Sequence, residues 1–89
     1  MVYEDSRYFV FKDINPQASV HLLIVPKKHI ESVNYINNED AELAGGLLLT
    51  AGRVAQQLGV KDRGYRLQVN VGRGGGQIID HLHVHLLAD

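Results

Sequence analysis

The chain has 89 residues, 9 lysines and arginines against 10 aspartates and glutamates, a formal net charge of -1 at pH 7 and no cysteine. That length makes one domain burying roughly 60 to 65% of its unfolded surface, so a dimer is expected to help it, and the lack of cysteine excludes a disulfide framework or a thiolate metal site. Its cations are scattered apart from Lys27-Lys28, which excludes a nucleic-acid footprint; without a signal-peptide pattern or an apolar run near ~18 residues, a soluble, cytoplasmic protein with no membrane partner is expected.

In chain order, Val2-Tyr3, a turn at Glu4-Asp5-Ser6 and the segment Arg7 to Ile14 read as a hairpin, since aromatic and β-branched residues dominate and suit a pleated, half-buried surface. Asn15-Pro16-Gln17-Ala18 breaks it, because proline fixes its own φ and drives the preceding residue away from helix. Ser19 to Pro26 is a nearly continuous apolar run, which predicts a strand buried on both faces. His21 is its one polar side chain after Ser19. Lys27 to Asp40 is polar and irregular. From Glu39 onward, Ala41, Ala44, Leu47, Leu48, Ala51, Val54, Ala55 and Leu58 recur at spacings of three and four, which predicts a helix of roughly twenty residues. Asn38 is its expected N-cap, acidic residues fill its first turn and Gly59 lies beyond its end. Gly45, Gly46 and Gly52 sit inside it, each costing ~1 kcal/mol against alanine. They are either tolerated weak positions or places where another backbone, such as a partner's helix, comes close.

Tyr65, Leu67, Val69 and Val71 alternate with Arg66, Gln68 and Asn70, which predicts a further strand. Arg73 to Gln77 reads as a turn and Ile78 to Ala88 as the last strand. With no repeat or linker, residues 1–89 are expected to form a single α+β domain with an antiparallel sheet and one long helix.

Three of the five histidines lie in the sequence HLHVHLL, His81 to Leu87. In a strand His81, His83 and His85 would share one face, ~6 to 7 Å apart, while Leu82, Val84 and Leu86 face the core. Several readings stay open. Zinc accepts histidine and carboxylate, but Asp80 is at odd spacing from all three and points to the opposite face, leaving His21 or His29 to complete a ligand set. A hydrolytic triad with a carboxylate orienter meets the same parity objection. A solvated face is more commonly built from lysine, threonine or glutamate. The fourth reading is phosphate chemistry: imidazole titrates near ~6.5, so close neighbours can hold different protonation states, and one neutral ring can attack phosphorus while another, protonated, donates to the leaving group. Gly72, Gly74, Gly75 and Gly76 either let backbone N–H groups turn inward around an anion or form an ordinary hairpin loop, and they lack the Gly-Lys-Ser/Thr ending of a Walker A loop.

These residues resemble a known family. HLHVHLL has the His-Φ-His-Φ-His-Φ-Φ form, Φ being apolar, of the histidine triad (HIT) superfamily. FKDINPQASVHLLIVPKKHI, Phe11 to Ile30, is similar to the N-terminal half of its Hint branch, the histidine triad nucleotide-binding proteins, and Gly64 to Leu87 is similar to the C-terminal half. The likeness runs from about Val2 to Leu87. It implies a HIT-like antiparallel sheet with one long helix, a homodimer, and binding of purine nucleoside monophosphates without a metal or cofactor. It also implies hydrolysis of nucleoside 5'-phosphoramidates, of the adenosine 5'-monophosphoramidate or adenylated-lysine type, through a covalent nucleotidyl-histidine. On matching positions, His83 would be the nucleophile, His85 would contact the phosphate and assist the leaving amine, His81 would brace the nucleophile and His21 would support the triad from a neighbouring strand. Asp13 and Ile14 match ribose and base contacts, Asn70 a phosphate contact, and Gly76 with Gln77 the loop over the phosphate. As residues alone, Asp13 and Asn70 serve equally as turn residues, and His29 reads as a surface residue.

Two departures from the Hint pattern bear on function. Ile78 stands where a serine assisting the leaving group is usual, and isoleucine's side chain can neither donate nor accept a hydrogen bond. The helix-bearing segment that ordinarily precedes the hairpin, and the tail that follows the triad, are not in this sequence. The expectation is slow turnover with poor base discrimination; the alternative is a nucleotide-binding or scaffold HIT protein with little or no turnover.

Overall fold

In the computed structural model, which describes residues 2–89, the chain forms one antiparallel sheet and one long helix. The strands are β1 (Tyr3–Glu4), β2 (Tyr8–Lys12), β3 (Val20–Pro26), β4 (Arg66–Gln68) and β5 (Val84–Ala88), and the helix α1 spans Ala41–Gln57. The sheet is five-stranded in the order β1-β2-β3-β5-β4. The apolar β3 takes the centre, paired with β2 on one side and β5 on the other. Asp5 makes the tight turn into β2: its carboxylate accepts the N–H groups of Arg7 and Tyr8, both at 2.8 Å.

Register assigns the two faces of the sheet. Val10 lies opposite Ile24, which lies opposite Val84, while Leu22 lies opposite Leu86 and Leu86 opposite Leu67. These side chains pack with Leu47, Ala51, Val54 and Ala55 of α1 in the buried core. Burying one such aliphatic side chain contributes about 1.5 to 3 kcal/mol, which offsets the weak helix propensity of α1's glycines. The other face carries His21, Leu23, His85 and Gln68. Leu23 and Val25 are only partly buried there, so β3 is buried fully on the helix side alone rather than on both faces. That half-open face is the floor of the site.

The helix begins later than its periodicity predicts. Asn38–Asp40 form a 3-10 turn whose start is closed by a capping box between Asn37 and Asp40, and the N-cap of α1 itself is Asp40 rather than Asn38. Asp40 is buried and accepts from Lys28 Nζ at 2.5 Å, which ties the loop after β3 to the start of α1. Pairing with Lys28, reinforced by the Asn37 N–H, holds the Asp40 carboxyl below its ordinary range. Gly59, at φ +75, ends the helix in the left-handed conformation that glycine accepts most readily. Gly46 has an intrachain purpose: a Cβ there would lie 1.8 Å from the Tyr8 hydroxyl, which donates to the Leu43 carbonyl at 2.9 Å. Among the described residues, nothing outside the neighbouring helix backbone lies within 4 Å of the corresponding position at Gly45.

Two strands are shorter than the alternation predicts. β4 stops at Gln68, and the last strand is Val84–Ala88 rather than Ile78 to Ala88. Ile78 and Ile79 are exposed and lie in the connection. No helix among the described residues is long and apolar enough to cross a membrane.

Candidate active site

Only one of the three ladder histidines stands in a strand. His85 belongs to β5, opposite Leu23 of β3 and Gln68 of β4. His81 and His83 precede the strand, so strand alternation does not place them. Tertiary contacts do so instead: the Leu82 N–H donates to the Ile30 carbonyl at 2.7 Å and the Leu82 side chain enters the core. His83 and His85 still approach closely, with ring centroids 5.0 Å apart, and His21 lies 5.2 Å from His85.

The partners of each ring dictate where the protons sit in neutral imidazoles, because one nitrogen donates and the other accepts. His83 Nδ1 lies 2.7 Å from the His81 carbonyl, which can only accept, so Nδ1 carries the proton and Nε2 presents its lone pair. On the other branch, the Gln17 N–H donates to His21 Nδ1 at 3.1 Å, so the His21 proton is on Nε2. That nitrogen lies 2.9 Å from His85 Nδ1, which therefore accepts and leaves the His85 proton on Nε2. The result is one ring with a free lone pair on Nε2 and a neighbour with its proton on Nε2. Burial of the ring first, then the neighbouring His83 and His21, lowers the His85 pKa, with Asp13 acting in the opposite direction.

His81 contributes to this arrangement with both its backbone and its ring. Its carbonyl holds His83, and its Nε2–H donates to the Pro26 carbonyl at 2.8 Å. The remaining nitrogen, Nδ1, lies 2.8 Å from His29 Nδ1; with Nε2 committed as donor, His81 accepts there and His29 donates. His29 is exposed, as a surface residue would be, yet it is joined to the first histidine of the triad. The loop position after Lys27-Lys28 hides this in the sequence.

Asp80 does not approach the histidines: it pairs with Arg73 at 3.0 Å. A carboxylate does reach them from elsewhere. Asp13, just past β2, has its N–H on the His21 carbonyl at 2.9 Å, its Oδ2 3.3 Å from His21 Nε2 and 4.0 Å from His85 Nδ1. Parity along the ladder's own strand could not reveal this contact; the β2–β3 hairpin register, which sets Lys12 opposite Leu22, is the signal that does. Asp13, His21 and His85 bring one ligand atom each within 4.8 Å of one another. A metal on His21 Nε2 would have to displace its proton to Nδ1, facing the Gln17 N–H donor, so these tautomers suit proton sharing better than coordination.

The glycine loop is more closed than an open anion cradle. Gly75 and Gln77 N–H groups both donate to the Gly72 carbonyl, at 3.1 and 2.9 Å, and the Gly76 N–H donates to the Arg73 carbonyl at 3.1 Å. The buried Gln77 side chain is spent inside the fold, donating to the Glu31 and Ile79 carbonyls at 2.7 and 2.9 Å while accepting the Gly72 N–H at 2.8 Å. Arg73 clamps the same segment through the Gln77 and Ile78 carbonyls. Asn70 donates to the Gly76 carbonyl at 3.3 Å, and Gly76 takes φ +84. Ile14 is 92% exposed and Ile78 85% exposed. A separate cleft of about 330 Å³, lined by Arg7, Lys27, Lys28, Glu39 and Asp40 among others, lies beside the start of α1 and contains none of the histidines.

The HIT domain family model matches residues 1–89. The chain is 47% identical over 87 residues to an uncharacterised HIT-like protein of Synechocystis, covering 98% of this chain and 75% of that protein. It is 41% identical over 87 residues to the purine nucleoside phosphoramidase of Escherichia coli, covering 98% and 73%. Among solved structures, a HIT family hydrolase from Legionella pneumophila superposes with a TM-score of 0.96 at 49% identity, covering 98% of this chain and 78% of that one. A histidine triad protein from Clostridium difficile gives the same TM-score at 39% identity, covering 99% and 76%. With the sheet order, the three clustered histidines and a match along the whole sequence, the chain belongs to the HIT family.

Proposed function

We propose that this protein is a hydrolase of purine nucleoside 5'-phosphoramidates that works through a nucleotidyl-histidine on His83. The observation that carries the reading is the pair of opposed tautomers: Nδ1–H of His83 held by the His81 carbonyl, and Nδ1 of His85 accepting from His21. The relation to HIT family hydrolases and to a purine nucleoside phosphoramidase supports the reaction class.

The His83 Nε2 lone pair attacks the α-phosphorus, the P–N bond to the amine breaks, and the amine leaves with the Nε2 proton of His85, which acts as an imidazolium and becomes neutral. Positive charge developing on the His83 ring is stabilised by its Nδ1–H bond to the His81 carbonyl, the role general to groups aimed at developing charge. Water then attacks phosphorus with His85 as base, the bond to His83 breaks and the nucleoside monophosphate departs. Asp13 accepts from the ribose, Ile14 offers an apolar surface to the base, Asn70 contacts the phosphate, and Gly76, Gln77 and Ile78 present the loop backbone beside it. No metal or cofactor enters these steps. We also propose a homodimer through α1. Tryptamine adenosine phosphoramidate is expected to release AMP, and His83→Ala to slow release by roughly a thousandfold or more; equal rates in the variant would refute the assignment.

A second reading, nucleotide binding without appreciable turnover, is favoured by the exposed Ile78, whose side chain offers the leaving amine no proton. Calorimetry detecting AMP binding with no hydrolysis of the phosphoramidate would select it over the enzyme.

A further inference from the structure

The paired register between β3 and β5 stops at Ile24 and Val84, so His83 lies outside it. Beyond that point the two segments are joined by other means. The Leu82 N–H donates to the Ile30 carbonyl at 2.7 Å, and the His81 ring donates from Nε2–H to the Pro26 carbonyl at 2.8 Å. His29 supplies a third tie: its Nδ1 lies 2.8 Å from His81 Nδ1, and since Nε2 of His81 is already a donor, His29 donates and His81 accepts. We propose that His29 is a positioning residue for the nucleophile: by donating to the His81 ring it holds the His81 backbone carbonyl where that carbonyl accepts the Nδ1–H of His83. The kinetic half of the proposal rests on the hydrolase reading above; the hydrogen-bond linkage stands without it.

The linkage acts on one proton. In a neutral ring the bond made by one nitrogen decides which of the two is protonated, and the His81 carbonyl, 2.7 Å from His83 Nδ1, is what keeps the proton there. His81 has no partner in the sheet to fix its own peptide, so the direction of its carbonyl depends on how firmly its side chain is held. A single bond to Pro26 leaves the ring free to pivot; the second bond, from His29 to the other nitrogen, removes that freedom. Without it the carbonyl can turn away from His83, the proton can pass to Nε2, and the lone pair that attacks phosphorus is lost. His29 itself is exposed, but Ile30 beside it is buried in the core. The donor is therefore carried on an anchored backbone.

The test joins nitrogen-15 NMR of the histidine rings of the full chain to steady-state kinetics with tryptamine adenosine phosphoramidate. His29→Ala should move part of the His83 population to the Nε2–H tautomer and lower kcat by about tenfold with KM nearly unchanged, because a 1 Å misplacement of a reacting group costs about a hundredfold and the shift here is smaller. His29→Asn, whose side-chain N–H can donate from the same place, should restore the wild-type tautomer and most of kcat; a role confined to packing would not separate asparagine from alanine in this way. An unchanged His83 tautomer in His29→Ala overturns the linkage, and so does an equal loss in the two variants. A shifted tautomer with undiminished kcat overturns the kinetic half. In the wild-type chain, an arm that needs no folded variant, neutral His81 should carry its proton on Nε2, and a proton on its Nδ1 overturns the linkage. If the wild-type chain releases no AMP, the hydrolase reading fails and the kinetic half with it, while the His83 tautomer in His29→Ala still decides the linkage.

Discussion

Each titratable ring in the site has its own hydrogen-bond partners, so single substitutions should separate their roles. Ile78, which the proposed reaction sets beside the leaving group, is an exposed hydrocarbon. A hydroxyl there could donate to the departing amine, and one hydrogen bond made only in the transition state, worth about 1.4 kcal/mol, raises the rate about tenfold. Ile78→Ser is therefore expected to increase kcat for tryptamine adenosine phosphoramidate by about that factor with little change in KM, measured by steady-state kinetics. His85 makes a pH prediction. Its folded pKa is lowered, chiefly by burial and then by His83 and His21, so the unfolded chain binds the proton more readily. Stability is then full above the unfolded value of ~6.5 and declines as pH falls through the lower folded value. Urea midpoints measured from pH 8 to 5 should fall over that interval, and His85→Asn should flatten the decline.

At the scale of elements, the regions legible in the sequence are those where local pattern and tertiary demand agree. The aliphatic run of β3 and the three-four spacing of α1 each match a face that the core buries, and α1 lies within the predicted helical region although Asn38–Asp40 tighten into a 3-10 turn. The last strand is different. Ile78 and Ile79 have strand-forming side chains, but Gln77 and Arg73 bind the backbone carbonyls around them, and side-chain bonds that take up carbonyls over two to five residues leave no mark on the apolar pattern. The same holds for the site. His21 and His85 are readable as one-face positions, whereas the approach of Asp13 to both and of His29 to His81 depends on hairpin register and loop closure. Gly46 shows how an apparently weak helix residue can be required. Alanine would gain ~1 kcal/mol of helix propensity, yet its Cβ would fall 1.8 Å from the Tyr8 hydroxyl and 2.8 Å from Tyr8 Cζ, forcing the ring out of the core and breaking its bond to Leu43. Gly46→Ala should destabilise the fold by about 1 to 3 kcal/mol net, read from urea denaturation, and Tyr8→Phe in the same chain should recover part of the loss.

For the molecule as a whole, the question is what covers the outer side of α1. Leu47, Ala51, Val54 and Ala55 are committed to the core, while Leu48 and Leu49 remain 57% and 62% exposed. Gly45, Leu49 and Gly52 follow one another at spacings of four and three along the helix, so they share a stripe. Gly45 has open space where a Cβ would stand, and at Gly52 the nearest atom is the Tyr65 hydroxyl at 4.0 Å; no tight contact within the chain requires either glycine, in contrast to Gly46. Small residues flanking an exposed leucine allow two helices to approach closely, and a second copy of the same stripe satisfies the self-complementarity of a two-fold interface. A stable interface needs roughly 1,000 Å² of total buried surface, more than two leucines supply, so residues beside the helix must take part. Sedimentation at micromolar concentration should give a dimer for the wild-type chain. Leu49→Glu would place two charges against each other at the centre of the stripe without touching the core, and should yield a monomer with unchanged helical circular dichroism. A monomeric wild-type chain at that concentration would count against the helix interface and leave the histidine site to work within a single protomer.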